Sequence, residues 1–175
     1  MFETTDDLIQ LQRLLDESYA AAGGHLRNVI TPDRRLTAVE VAATLTGMRL
    51  LVLATVTGDG RPMAGPVDGI FFRGSFHFGS AADSLRFRHL RKRPSVSATH
   101  LLGEELSVTV HGAAEELDMK AAANRDFRLA LLDVYMPRYG AEWESFLDSG
   151  TSYARIHAQR MFTFSMPELG EAGSS

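Results

Sequence analysis

Between Arg49 and Gly79 the chain reads as three strands joined by turns too short to hold a helix. "LLVLATV" (50–56) is a compact apolar run, and "TGDG" (57–60) carries Gly and Asp, which tolerate the positive φ angles of a tight hairpin. The segment 61–72 returns with Pro62 and Pro66, so it is expected to be irregular or to lie at a sheet edge. Arg73-Gly74 makes the next turn, into "SFHFG" (75–79). Strands joined this tightly are antiparallel neighbours, because a parallel pair needs a crossover of roughly a dozen residues or more.

Hairpins recur further on. "SVSATHLL" (95–102) and "ELSVTVHGAAEEL" (105–117) meet at Gly103-Glu104, and "YARIHAQRMFTF" (153–164) reads as a last strand. In the fifth strand Leu106, Val108 and Val110 point one way, and Ser107, Thr109 and His111 the other. Helical spacing of Leu8, Leu11, Leu14, Leu15 and Tyr19 predicts an amphipathic helix over 5–22, ended by Gly23-Gly24. A short helix should start at Thr37, with Glu40 completing a capping box and Gly47 near its end. Further helices are expected over 119–136 and 141–147.

Only one helix falls between the third and fourth strands. The order therefore predicts a mainly β fold with peripheral helices, an antiparallel barrel rather than a doubly wound parallel sheet. The expected division is a helical extension at 1–47, a barrel domain at 48–166 and a disordered tail at 167–175, without internal repeats.

A chain of 175 residues, 45% hydrophobic and 23% charged, suits one domain with a full core. It has no cysteine, which excludes disulfides, thiol nucleophiles and Cys-ligated metal centres. A formal charge of −4 argues against a dedicated nucleic-acid binder. No apolar run reaches the roughly 20 residues of a membrane span. Met1–Asp7 holds three acidic residues and no basic one, unlike a secretory leader, so a cytoplasmic protein is expected.

Against that acidic background, "FGSAADSLRFRHLRKRP" (78–94) packs five Lys/Arg and one His into Arg86–Arg93. A helix is predicted from Ser80, with Ser80 as N-cap, Asp83 three residues on, and Pro94 as the stop. Unpaired N–H groups and the dipole make such a start a phosphate site, to which Ser80, Ser84 and Arg86 can add donors. At about 100° per residue Arg86, His89 and Arg93 share one face and Phe87 and Leu90 another. Spacing alone leaves three readings open: a solvated basic face, a nucleic-acid footprint, or a grip on one phosphorylated ligand.

No other constellation nominates a reaction. The six histidines show neither HxxxH nor HExxH spacing, and GxSxG, GxGxxG and Walker A patterns are absent. The carboxylate pairs Asp6-Asp7, Glu104-Glu105 and Glu115-Glu116 read as surface. Phe71, Phe72, Phe76 and Phe78 read as barrel core, or as a wall for a planar cofactor.

"LATVTGDGRPMAGPV", "FHFGSAADSLRFRHLRKRPSVS" and "EELSVTVHGAAEEL", in that order and spacing, resemble the pyridoxamine 5′-phosphate oxidase-like family of FMN-binding split barrels. The likeness covers roughly residues 45–118. It implies a six-stranded antiparallel split β-barrel and a homodimer with two flavins at the subunit interface. Carried onto this chain, it implies phosphate contacts from Ser80, Ser84 and Arg86, with Arg91 a further candidate. Gly65, Pro66 and Val67 fall on the strand along the flavin ring and ribityl chain. Ser107 falls where a polar residue approaches the ring, and Gly79 where the family often has a bulkier residue.

Basic residues that mark the true oxidases are replaced by Gly65, Ile70 and Leu85, and the chain ends in "MPELGEAGSS" instead of an Arg-Leu-x-Pro-like tail. The resemblance therefore implies an FMN- or F420-dependent oxidoreductase acting on a small substrate, rather than pyridoxamine phosphate oxidation. A non-catalytic flavin- or haem-binding split barrel is the alternative.

Overall fold

A computed structural model describes residues 1–166. The predicted disordered tail lies outside the described residues. Six strands form a closed antiparallel barrel: β1 (Met48–Val56), β2 (Pro62–Phe72), β3 (Ser75–Ala81), β4 (Ser95–Leu102), β5 (Leu106–Leu117) and β6 (Thr151–Ser165), in the spatial order β1-β2-β3-β6-β5-β4. The short turns behave as their residues require. Gly60, Arg73, Gly74 and Gly103 all take positive φ, and Thr57 N–H bonds the Arg61 carbonyl across the first hairpin.

Pairing is uneven, and that unevenness makes the site. β2 pairs with the whole of β1, from Val56↔Pro62 to Met48↔Ile70, but with β3 only over Gly69–Phe72. The half of β2 that carries both prolines is regular strand, not irregular chain. It has a partner on one side only, so a missing N–H is tolerated there. β3 meanwhile continues along β6 through Gly79–Ala81. The barrel stays closed through the Gly69–Phe72 pairing, but beyond it β2 and β3 part and leave a cleft between them.

Alternation along the strands fills the interior with Leu51, Leu53, Phe76, Phe78, Val108, Val110, Ile156 and Met161, all buried. α1 (Thr5–Ala20) and α3 (Ala38–Thr44) start at the capping boxes Thr4/Asp7 and Thr37/Glu40. Leu11, Leu15, Val41 and Leu45 join them to the same buried cluster as the barrel. The Tyr19 hydroxyl accepts from Thr163 N–H at 2.8 Å and lies 2.7 Å from Thr163 Oγ1, fixing α1 on β6. A short α2 (Gly24–Val29) begins within the Gly pair, where the sequence predicted only an end.

Between β5 and β6 the chain leaves the barrel. The helix expected over 119–136 is instead a 3-10 turn at Ala122–Asn124 followed by α5 (Arg125–Tyr139), which takes Pro137 into its last turn; α6 is Trp143–Leu147. Phe127, Leu131, Tyr135 and Leu147 cover Ile70 and Tyr153 on the outer sheet face. A bulge at His111/Gly112 bends β5, and a Cβ on Gly112 would stand 2.1 Å from the His157 carbonyl oxygen.

Candidate functional site

The helix after β3 begins later than its sequence suggests. Ser80 is a strand residue paired with Ser152, and Ser84 is the N-cap of α4 (Leu85–Leu90), its hydroxyl accepting from Phe87 N–H at 3.3 Å. Strand pairing with β6 outcompetes the Ser80/Asp83 cap, because each further ladder residue satisfies backbone groups that a six-residue helix leaves open.

This register decides where each basic residue goes. Phe87 and Leu90 are buried, as expected, but so is His89, at 7% exposure, with Nδ1 3.0 Å from Thr55 Oγ1. His89 therefore leaves the polar face that the spacing shared among it, Arg86 and Arg93. Arg93 Nε donates to the Val56 carbonyl. Arg91 grips Glu116 through two bonds of 2.7 and 2.6 Å and also donates to the Ala82 carbonyl. Glu116 raises the Arg91 pKa and is itself held below the usual carboxylate range by Arg91. Arg91 ties α4 to β5 and does not face the cleft described next.

Arg86 is different. Its Nη2 donates to the Pro66 carbonyl at 3.0 Å, on the open edge of β2, and its Nη1 lies 3.5 Å from Ser80 Oγ. It is half-buried, and desolvation lowers its pKa. Among the described residues no carboxylate pairs with it. A guanidinium withdrawn from water without a counter-charge favours an anion beside it.

The space beside Arg86 is a cleft of about 440 Å³. Pro66, Val67 and Asp68 of β2 form one side, and Gly79 and Ser80 of β3 with Thr151 and Tyr153 of β6 form the floor. Tyr135 and Tyr139 of α5 and Trp143 and Phe146 of α6 form an aromatic wall. Tyr135 stacks on Trp143, centroids 4.4 Å apart and planes 14° from parallel. Burial and the nearby Asp68 charge push the Tyr135 phenol up, and burial pushes Tyr153 up to about 12, so both remain proton donors. Gly79 explains itself here: a Cβ would come within 2.7 Å of Tyr153 Cε1, so only glycine lets that ring lie across the strand.

Of the residues singled out from the sequence, Pro66, Val67, Gly79, Ser80 and Arg86 meet in this cleft. Gly65 borders it, its Cβ position 3.7 Å from Arg86 Nη2. Ser84, Arg91 and Ser107 lie outside its lining. Asp68, Thr151, Tyr153 and the helical aromatics were not anticipated. "VYMPRYGAEW" held a signal, since Tyr135 and Tyr139 stand four apart on one helix face with Trp143 four beyond. No metal-ligating group of three or more His/Cys/Asp/Glu occurs among the described residues, and no described helix is long and apolar enough to cross a membrane. The cleft offers an anion grip, phenol donors and flat apolar surface, with no nucleophile–base pair among the described residues.

A family model described as Pyridoxamine 5′-phosphate oxidase matches residues 37–163. Among solved structures, the conserved hypothetical protein Rv2991 from Mycobacterium tuberculosis is similar at 22% identity, covering 82% of this chain and 97% of that one, with a TM-score of 0.65. A FAD-binding protein (mll6688) from Mesorhizobium loti matches at 23% identity, covering 77% of this chain and 98% of its own, with a TM-score of 0.57. HutZ, the haem storage protein from Vibrio cholerae, matches at 16% identity over 75% and 94% of the two chains, with a TM-score of 0.59. At these identities the likeness is one of fold. No curated protein sequence matches the chain.

Proposed function

The chain belongs to the pyridoxamine 5′-phosphate oxidase family, and on that premise we propose that it is a flavin- or deazaflavin-dependent oxidoreductase holding FMN, or coenzyme F420, in the cleft at Arg86. One observation carries the reading: the half-buried Arg86 guanidinium has no described carboxylate partner and sits beside Ser80 at a cleft with an aromatic wall. Both parts fit a molecule with a phosphate at one end and a planar ring at the other.

Arg86 and the Ser80 hydroxyl hold the phosphate, while Pro66 and Val67 run along the ring side. Ser84 holds the helix start that orients Arg86. α5 and α6 close the outer side and exclude water there. Bound in the cleft, the flavin supplies the hydride-transfer chemistry itself, which accounts for a site without an acid–base pair. Gly65 enters by its place on β2, next to Arg86. Ser107 does not line the cleft of its own chain, so its approach to a ring requires a second copy.

A homodimer is accordingly part of the proposal. Its support is an exposed apolar surface on the outside of the barrel: Leu50 and Val52 on β1, Met63 on β2, and Leu101 and Leu102 on β4. The haem-holding alternative is less well supported, because no described lining residue of the cleft is a histidine. His89 is engaged with Thr55, and His111 Nδ1 lies 2.7 Å from Ser97 Oγ.

Absorbance titration with FMN, F420, riboflavin and haemin tests the reading. FMN or F420 should bind, riboflavin should bind more weakly for want of its phosphate, and haemin should give no saturable Soret change. Equal binding of FMN and riboflavin, or binding of haemin alone, would reject the assignment.

A further inference from the structure

A second cavity, of about 410 Å³, opens at the other end of β3, between α1 and the start of α5. It shares no lining residue with the Arg86 cleft. Strand register builds it. Arg155 on β6 stands opposite His77 on β3 and opposite Glu115 on β5, so the three form one row on the outer sheet face. α5 lays Phe127 on the His77 ring at 4.3 Å between centroids, and Phe72 meets the ring edge-on at 5.6 Å.

His77 is only 4% exposed, yet half of its hydrogen-bonding capacity is unused. Nδ1 lies 3.1 Å from the Ser75 carbonyl oxygen. A carbonyl only accepts, so Nδ1 carries the proton and Nε2 the lone pair. Nε2 has no partner among the described residues and is not one of the polar atoms sealed by protein, so the lone pair opens on the cavity. Burial keeps the ring neutral.

Beside it, Arg155 gives Nη2 to Glu115 at 2.8 Å, while Nη1 has no partner among the described residues and Nε is buried without one. The row thus sets a hydrogen-bond acceptor next to a donor. Arg73 is paired with Asp7, Arg155 and His157 share Glu115, and Asp126 adds a further carboxylate to the lining, so positive charge there is already matched. Neither cation calls for an anionic ligand.

We propose that this cavity binds a small, planar, uncharged molecule by a cis-amide edge, as in a primary carboxamide or a lactam. The amide N–H donates to His77 Nε2, its carbonyl accepts from the Arg155 guanidinium, and the ring lies against Phe72 and Phe127. A carboxylate has no proton for Nε2, a tertiary amide has none either, and a cation meets Arg155. The chemistry therefore selects the amide over its close relatives.

Nicotinamide is the probe, with benzoate and N,N-dimethylnicotinamide as controls, measured by calorimetry and by long-range 1H–15N NMR of the imidazoles. Nicotinamide should bind saturably and move the His77 Nε2 resonance, and neither control should do so. His77→Phe and Arg155→Met should each weaken binding about tenfold or more, as for a lost buried hydrogen bond, with melting curves confirming that the variants fold. The proposal is overturned by an unmoved Nε2 resonance, by absent or non-saturable nicotinamide binding, or by equal binding of either control. Affinity unchanged in both folded variants would overturn it as well. The resonance in the unaltered protein decides alone should a variant fail to fold.

Discussion

Removing the Arg86 guanidinium by Arg86→Ala should weaken FMN binding by about 1.5–3 kcal/mol, the worth of a charge-assisted hydrogen bond. Titration by absorbance or flavin fluorescence measures it, and unchanged affinity would reject Arg86 as the phosphate grip. Gly79 makes a different kind of contribution. Gly79→Ala drives a methyl into the Tyr153 ring, 2.7 Å from Cε1, and should lower stability by about 1–3 kcal/mol. Adding Tyr153→Leu should recover part of that loss, and a urea double-mutant cycle reads the coupling. His77 contributes to acid sensitivity. Burial holds its pKa at about 3, helped by the positive charge of Arg155 and His157 and opposed by the Ser75 carbonyl. Its folded-state pKa lies below the unfolded value, so the unfolded chain binds the extra proton. Stability is therefore present above about pH 6.5 and lost, by up to about 1.4 kcal/mol per pH unit, as pH falls toward 3. Urea midpoints for wild type and His77→Phe across that window should show a shallower slope in the variant.

At the scale of elements, α4 shows how local and long-range preferences compete. The sequence predicts the cap at Ser80, with Asp83 three residues on, whereas the helix is capped by Ser84. β6 settles the choice by pairing Ser152 with Ser80 and extending β3 to Ala81. Ser84→Ala should consequently lower the melting temperature by an amount corresponding to about 1 kcal/mol, whereas Ser80→Ala should leave it nearly unchanged. An equal loss from both would contradict the cap at Ser84. α5 and α6 make the complementary case. Their existence was legible from composition and spacing, but their role as a cleft wall was not, because the Tyr135, Tyr139 and Trp143 pattern is equally consistent with an ordinary packed helix. It becomes a wall because α5 lies across β2, β3 and β6, a long-range packing outcome that no local pattern records.

At the scale of the molecule, the exposed strip of Leu50, Val52, Met63, Leu101 and Leu102 should be covered by a second copy. Val52→Glu or Leu101→Glu should convert a dimer to a monomer in sedimentation experiments and weaken FMN binding together with it. A monomeric wild-type protein would remove the homodimer from the proposal. The barrel itself was already implied by the chain, since TGDG, Arg73-Gly74 and Gly103-Glu104 are too short for anything but antiparallel neighbours, and period-two alternation separated the two faces of the fifth strand. The sequence alone also determined the cap at Thr37, the absence of thiol chemistry, and a concentration of charge after β3. Only the tertiary structure decided which of those charges faces a ligand. Arg86, Arg91 and Arg93 are chemically alike and lie within eight residues, yet one meets a cleft, one meets Glu116 and one meets the Val56 carbonyl. Their partners sit on β2, β5 and β1, and a side chain's charge is spent or free according to what strand closure brings beside it.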